Sequence, residues 1–414
     1  MEFSPGFYLV FVISLLAAEY LLGAASDILN IRHIDKKLPE DFTGFYNDKD
    51  YEKSQNYLME TTKFELISST FVLFLTITFI IVGGFGWVDR LARSFSLGEI
   101  ATGIIFIFIL KTGVDILEIP FETYETFVIE NKYGFNRTAP KTFVTDILKE
   151  WCLSIIIGAP VAAAVFFIFG NFGKQAWLYV WFFIILVQLF VSFLAPVLIL
   201  PLFNKFSPVK DENLKKTIEE YLQKNNFRIK GIYVMDGSKR STKTNAFFIG
   251  FGKFKKIVLY DTLIKKHSPE EICAILAHEI GHYKKKHILI SGAFSFANLG
   301  LMLYLLQMFI GNENLFKAFK MDHVSVYGGI VFFGFIYSPI SLILSLLLNM
   351  LSRKFERQAD KFAAETTKDK ETMIKTLKKL TVENLGNLKP HPLKVFLYYS
   401  HPPVIERIKF IKSL

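Results

Sequence analysis

Long apolar runs alternate with short charged ones along most of this chain. A helix needs about 20 consecutive apolar residues to cross the hydrocarbon core of a bilayer. Seven stretches have that character: residues 7–25, 66–87, 100–119, 153–173, 176–203, 288–310 and 326–351. Soluble cores rarely contain so many runs of this length, so the pattern predicts seven membrane-crossing helices. The first run has no basic flank, only Glu2, and no clear small-residue cleavage site; it reads as a retained span rather than a secretory signal. Pro196 and Pro201 should break or kink the end of the fifth span.

After the fifth span the pattern changes to that of a small soluble segment. Residues 211–225 mix Glu, Lys and Leu at helical spacing and predict an amphipathic helix. Residues 231–235 read as a short strand and 236–243 as a polar turn. Two β-prone runs, 245–251 and 256–260, flank Gly252-Lys253 and predict a hairpin. A helix then opens with Ser268 as its N-cap, Pro269 at the first helical position and Glu271 completing a capping box. No internal repeat at a fixed period is visible.

Composition agrees with a membrane protein: 414 residues, 51% hydrophobic, 44 of them Phe, with mean hydropathy +0.34. Charge gives the orientation. Arg32, Lys36, Lys37, Lys49 and Lys53 follow the first span, Lys132, Arg137, Lys141 and Lys149 follow the third, and the connection after the fifth is the most basic. The opposite side carries only Arg90, Arg93, Lys174, Lys317 and Lys320. Positive loops stay in the cytoplasm, so this alternation places the N-terminus outside or in a lumen and the C-terminus in the cytoplasm. The net charge of +10 is then a topology signal and an attraction to anionic lipid headgroups. No basic–aromatic module suggests nucleic acid. Cys152 and Cys273 sit in apolar helical contexts without a CxxC pair and read as buried small hydrophobes. Lys111, Asp115 and Glu118 lie within the third span; they read either as an ion pair near a membrane boundary or as the lining of a polar cavity.

Candidate chemistry centres on His278-Glu279-Ile280-Gly281-His282. Side chains four apart share a helix face. Two imidazoles so placed can grip one Zn²⁺, and the glutamate between them can take a proton from the attacking water of a peptide-bond hydrolysis. A catalytic zinc wants a third protein ligand. Glu356 is the best candidate, with Asp360 one turn on to accept a hydrogen bond from a ligand imidazole; the alternative is an ordinary solvated charged helix. His287 lies nine residues beyond His278, which on one continuous helix puts it on the opposite face, so it is not read as a ligand. Lys284, Lys285 and Lys286 read as a basic anchor at the interface. His401, in Ser400-His401-Pro402-Pro403, is a candidate donor to the developing oxyanion, and Arg407 a candidate brace for Asp360; either also fits an ordinary surface role. Asn245, Ala246, Phe247 and Phe248 could offer a strand edge to a substrate, or form a buried structural hairpin.

These residues, with 127–136, 201–205, 257–263, 352–363 and 400–408, resemble the type-1 CAAX prenyl protease family of integral-membrane zinc metalloproteases, over nearly the whole chain. The resemblance implies an all-α polytopic membrane protein whose seven helices enclose an intramembrane chamber, with a small α+β metalloprotease domain at the cytoplasmic face. It implies one Zn²⁺ on His278, His282 and Glu356, Glu279 as catalytic base, and supporting roles for Asp360, Asn245, His401 and Arg407. It implies prenylated or membrane-associated peptide substrates that lose their last three residues. The chain then divides into five N-terminal spans (1–203), a catalytic segment (204–287), spans six and seven (288–351) and a C-terminal catalytic segment (352–414). The expected membrane is the endoplasmic reticulum in a eukaryote and the inner membrane in a bacterium. Two other readings are a membrane quality-control zinc protease and a transporter or lipid-binding protein with a vestigial metal site. Seven spans disfavour the former, and the intact histidine pair with Glu356 and Asp360 disfavours the latter.

Overall fold

The computed structural model describes residues 3–250 and 255–414. Seven helices are long and apolar enough to cross a membrane: Pro5–Arg32, Asp48–Val82, Glu99–Tyr133, Pro140–Asn171, Gly173–Phe203, His287–Phe309 and Val326–Thr367. Their order matches the seven apolar runs, and the chain is a multi-pass integral membrane protein. Each outlasts its apolar run or equals it within a few residues. The 35-residue second helix is about 50 Å long at 1.5 Å per residue, so its charged start projects beyond the hydrocarbon.

Prolines lie within these helices without ending them. A π-helical turn at Ala195–Ile199 takes up Pro196, and the fifth span continues to Phe203 before breaking. Further π turns lie at Glu125–Glu130, just past Pro120, and at Ser154–Gly158, just before Pro160. The extra residue in each turn relieves the clash that a proline ring makes with the preceding turn.

The spans pack loosely. No more than 17% of the apolar stretch of any span is buried in the protein. The third span carries Lys111 and Asp115 as an ion pair, and Trp151 Nε1 donates to Asp115 Oδ2 at 2.8 Å. Charges at this depth face water or protein rather than lipid. Cys273 is buried as expected, but Cys152, beside Trp151, is exposed. An aromatic cluster that includes Phe85, Phe316, Phe319 and Phe332 packs against the spans. Tyr327 is buried in that cluster and donates to Asp89.

The soluble part is built on a four-stranded sheet in the order β1-β2-β4-β3. The strands are β1 (Phe206–Pro208), β2 (Gly231–Met235), β3 (Ala246–Ile249) and β4 (Lys256–Tyr260). β3 and β4 form the expected antiparallel hairpin, with Ala246 opposite Leu259; its turn, Gly252-Lys253, lies outside the described residues. β2 pairs with β4 in parallel and β1 with β2 antiparallel. β1 was not expected; three residues without alternation carry no periodic signal. A helix, Glu212–Lys224, capped by Asp211, and the helix Pro269–Lys284 pack on the sheet. Leu214 and Ile218 of the first, Ile257 and Leu259 of β4, and Ile272, Leu276 and Ile280 of the second share one core. The expected capping box of Ser268 and Glu271 is present.

That core also takes Ala363 and Ala364 from the seventh span. The expected boundary between 351 and 352 therefore falls inside one unbroken 42-residue helix that begins in the membrane part and ends in the soluble core. Two ion-paired links tie the loop before β3 to the spans. Arg240 donates to Asp146 Oδ2 through Nε and Nη2 and to Asn204 Oδ1 at 2.8 Å, and Lys243 Nζ donates to Glu130 and to the Tyr57 hydroxyl. Glu130 and Asn204 lie in two of the stretches that carried the resemblance.

Candidate metal centre

Pro269–Lys284 presents His278 and His282 one turn apart, and the seventh-span helix brings Glu356 against them. The Nε2 atoms of the two imidazoles are 3.1 Å apart. Glu356 Oε2 is 3.3 Å from His278 Nε2, and Glu356 Oε1 is 3.2 Å from His282 Nε2. Ligands about 2.0–2.1 Å from a tetrahedral zinc stand roughly 3.3 Å from one another, which is the spacing these three side chains keep. Glu356 is buried and its Oε2 accepts no hydrogen bond, which is an orphaned acceptor that a cation would satisfy. Two imidazoles, one carboxylate and an open fourth position form a donor set used by catalytic zinc.

Asp360 is fully buried, and its Oδ1 lies 2.9 Å from His278 Nδ1. Arg407 donates to both of its oxygens, at 2.6 and 2.9 Å. This bidentate pair neutralises Asp360 and holds it on the far nitrogen of His278, leaving Nε2 to face the cluster. His278 is pushed up to about 9: burial opposes the charged ring, but the Asp360 and Glu356 carboxylates outweigh it. A pocket that holds a proton on this ring is equally a pocket that attracts a cation in its place.

Glu279 is half-buried beside this face and lines a cleft of 380 Å³ with His278, Asn245, Ala246, His401 and Arg407. Burial raises the Glu279 pKa above the ordinary carboxylate value, while His278, His282 and Arg407 pull it down. The far wall is the helix Lys370–Glu383, through Met373, Leu377 and Leu380.

The family follows from the chain as a whole. A family model described as CAAX prenyl protease N-terminal, five membrane helices, matches residues 27–205, and one for peptidase family M48 matches 208–414. The chain belongs to peptidase family M48. Relatives of this M48 chain include a CAAX prenyl protease 1 homolog of Arabidopsis thaliana, 34% identical and aligned over 90% of each chain. A probable CAAX prenyl protease 1 of Schizosaccharomyces pombe is 36% identical over 91% of this chain and 82% of its own. The Homo sapiens CAAX prenyl protease 1 homolog is 30% identical over 91% and 89%. A crystal structure of S. mikatae Ste24p superposes with a TM-score of 0.93 at 28% identity, covering 98% of this chain and 99% of that one.

The M48 site draws unevenly on the other residues singled out from sequence. His401 is exposed, reaches over the cluster and lies 3.2 Å from Glu356 Oε1. Asn245 and Ala246 line the cleft. Phe247 and Phe248 do not: Phe248 meets Phe227 edge-on at 5.7 Å and Phe247 meets Tyr260 at 6.2 Å. Among the described strands, β3 lies at the edge of the sheet and pairs with β4.

The reason given for setting His287 aside does not hold in this M48 chain. The helix ends at Lys284, Lys286 adopts a left-handed conformation (φ 60°), and His287 starts a new helix. The turn swings His287 back beside His282 instead of onto an opposite face. It remains outside the cluster of ligand-capable atoms but touches it. Gly281 was also not singled out. Its lack of a side chain lets the helix that carries His278 and His282 approach the helix that carries Glu356.

Proposed function

We propose that this chain is a membrane-embedded zinc endopeptidase that cuts prenylated CAAX-type substrates near their C-terminus, releasing the last three residues. The observation that carries this reading is the meeting of His278, His282 and Glu356 at the rim of a cleft that also holds Glu279, inside a seven-span protein. The names of its relatives supply the substrate class.

His278, His282 and Glu356 would hold the zinc, which when bound polarises the scissile carbonyl and acidifies water. Asp360, braced by Arg407, orients His278. Glu279 takes the proton of the attacking water and returns it to the departing amine; a carboxylate pKa raised by burial suits a base that works near neutrality. His401 lines the cleft and would donate to the carbonyl oxygen as it gains charge. β3 ends the sheet, and with Asn245 and Ala246 at the cleft its edge would hold the substrate backbone as an added strand. Residues 204–287 and 352–414 serve as the catalytic part at the cytoplasmic face, facing the more basic side of the membrane. The lumen or exterior receives the N-terminus, and the host membrane is the endoplasmic reticulum of a eukaryote or the inner membrane of a bacterium.

Purified protein is incubated with a farnesylated CAAX peptide and with an unmodified membrane-protein fragment, with and without a zinc chelator. Chelator-sensitive release of a tripeptide from the first alone is expected. Equal cutting of both would favour quality control, and cutting of neither would refute the proposal.

A further inference from the structure

His278 and His282 both need their outer nitrogens held if their inner nitrogens are to face one point. Asp360 does this for His278. No carboxylate contact does so for His282 among the described residues; its Nδ1 lies 3.1 Å from His287 Nδ1. His287 Nε2 in turn lies 2.8 Å from Gln358 Oε1. The His287 ring is 3% exposed and stacks on Phe355, with centroids 4.1 Å apart and planes 8° from parallel.

These contacts allow one assignment of protons. His282 Nε2 faces the cluster and must be bare, so the proton of a neutral ring sits on Nδ1. That N–H donates to His287 Nδ1. The His287 proton is then on Nε2 and donates to Gln358 Oε1, an acceptor that terminates the relay. The relay has a single direction because a carbonyl oxygen cannot donate. Phe355, Glu356, Gln358 and Asp360 all come from one stretch of the seventh-span helix. That stretch therefore supplies the third candidate ligand and settles the outer bonds of both imidazoles.

We propose that His287 is a positioning residue: backed by Gln358 and Phe355, it fixes the tautomer and ring plane of His282 for metal binding. The idea rests on the zinc site proposed above. Outer partners of ligand imidazoles typically contribute about 10–100-fold to metal affinity.

Two substitutions separate positioning from mere packing. H287F keeps an aromatic ring to stack on Phe355 but has no acceptor. H287N gives up the stack and places Oδ1 near where the imidazole has Nδ1. Zinc affinity of the full-length protein in detergent is read by competition with a chromophoric chelator, alongside thermal melts of the zinc-free protein. Expected is a 10–100-fold loss of zinc affinity in H287F with its zinc-free melt close to wild type, and affinity within about threefold of wild type in H287N. H287F binding zinc like wild type, or H287N losing as much affinity as H287F, would overturn the proposal. Wild-type protein that binds no zinc would instead sink the metal site itself.

Discussion

Gly281 and Ala359 touch backbone to backbone. A methyl group on Gly281 would stand 3.0 Å from the Ala359 Cα, 3.1 Å from its carbonyl oxygen and 3.3 Å from the Phe362 Cβ. Two of those atoms are main chain and cannot swing away. Gly281 thus sets the distance between the helix that carries His278 and His282 and the helix that carries Glu356. G281A should push them apart, costing about 1–3 kcal/mol of stability and lowering zinc content together. Thermal melts and metal analysis check this; a variant with wild-type zinc and melting temperature would show that the helices can yield.

Glu279 lines the cleft but, among the described residues, belongs to no group of ligand-capable atoms. E279Q should keep its zinc and lose activity by a factor of at least about 10²–10⁴, the usual contribution of a general base. Metal analysis beside a peptide-cleavage assay tests both halves. A variant without zinc would contradict the assigned role.

Glu356 offers both oxygens to the histidine pair from a buried position. E356A should bind zinc more weakly and cleave nothing. Unchanged metal content would move the third ligand to another residue.

Glu271, at the start of the helix Pro269–Lys284, is buried yet lowered to about 2: burial opposes its charge, but Lys379, Lys375 and the Ser268 backbone N–H outweigh that. A carboxylate depressed in the folded state stabilises fully above its unfolded pKa of roughly 4.3, and that contribution fades as pH falls toward the folded value. The melting-temperature gap between wild type and E271Q should therefore be widest near neutrality and shrink from about pH 5 downward. A gap that stayed constant from pH 7 to pH 3 would mean that the lysines do not hold the charge.

Much of the architecture was legible in the linear pattern. Hydrocarbon thickness demands runs of a fixed length, so seven spans could be counted without any contact being known. The capped helix from Pro269 and the strands 231–235 and 256–260 were readable because caps and β-prone runs are local signals. β1 was not, because three residues have no period. Nor was the unbroken helix across 351/352, where polarity changes but the backbone does not.

Which residues can do chemistry and which stretches suit lipid could be read from the chain, because side-chain type and local spacing are written in it. Which of them meet was settled by how the helices pack. Glu356 lies 74 residues beyond His282 (356 − 282) and reaches it only because Gly281 lets two helices touch at Ala359. His287 joins the site only because one left-handed residue, Lys286, turns the chain back. A helical wheel assumes one continuous helix, and contacts across separate helices depend on crossing points that no local spacing encodes.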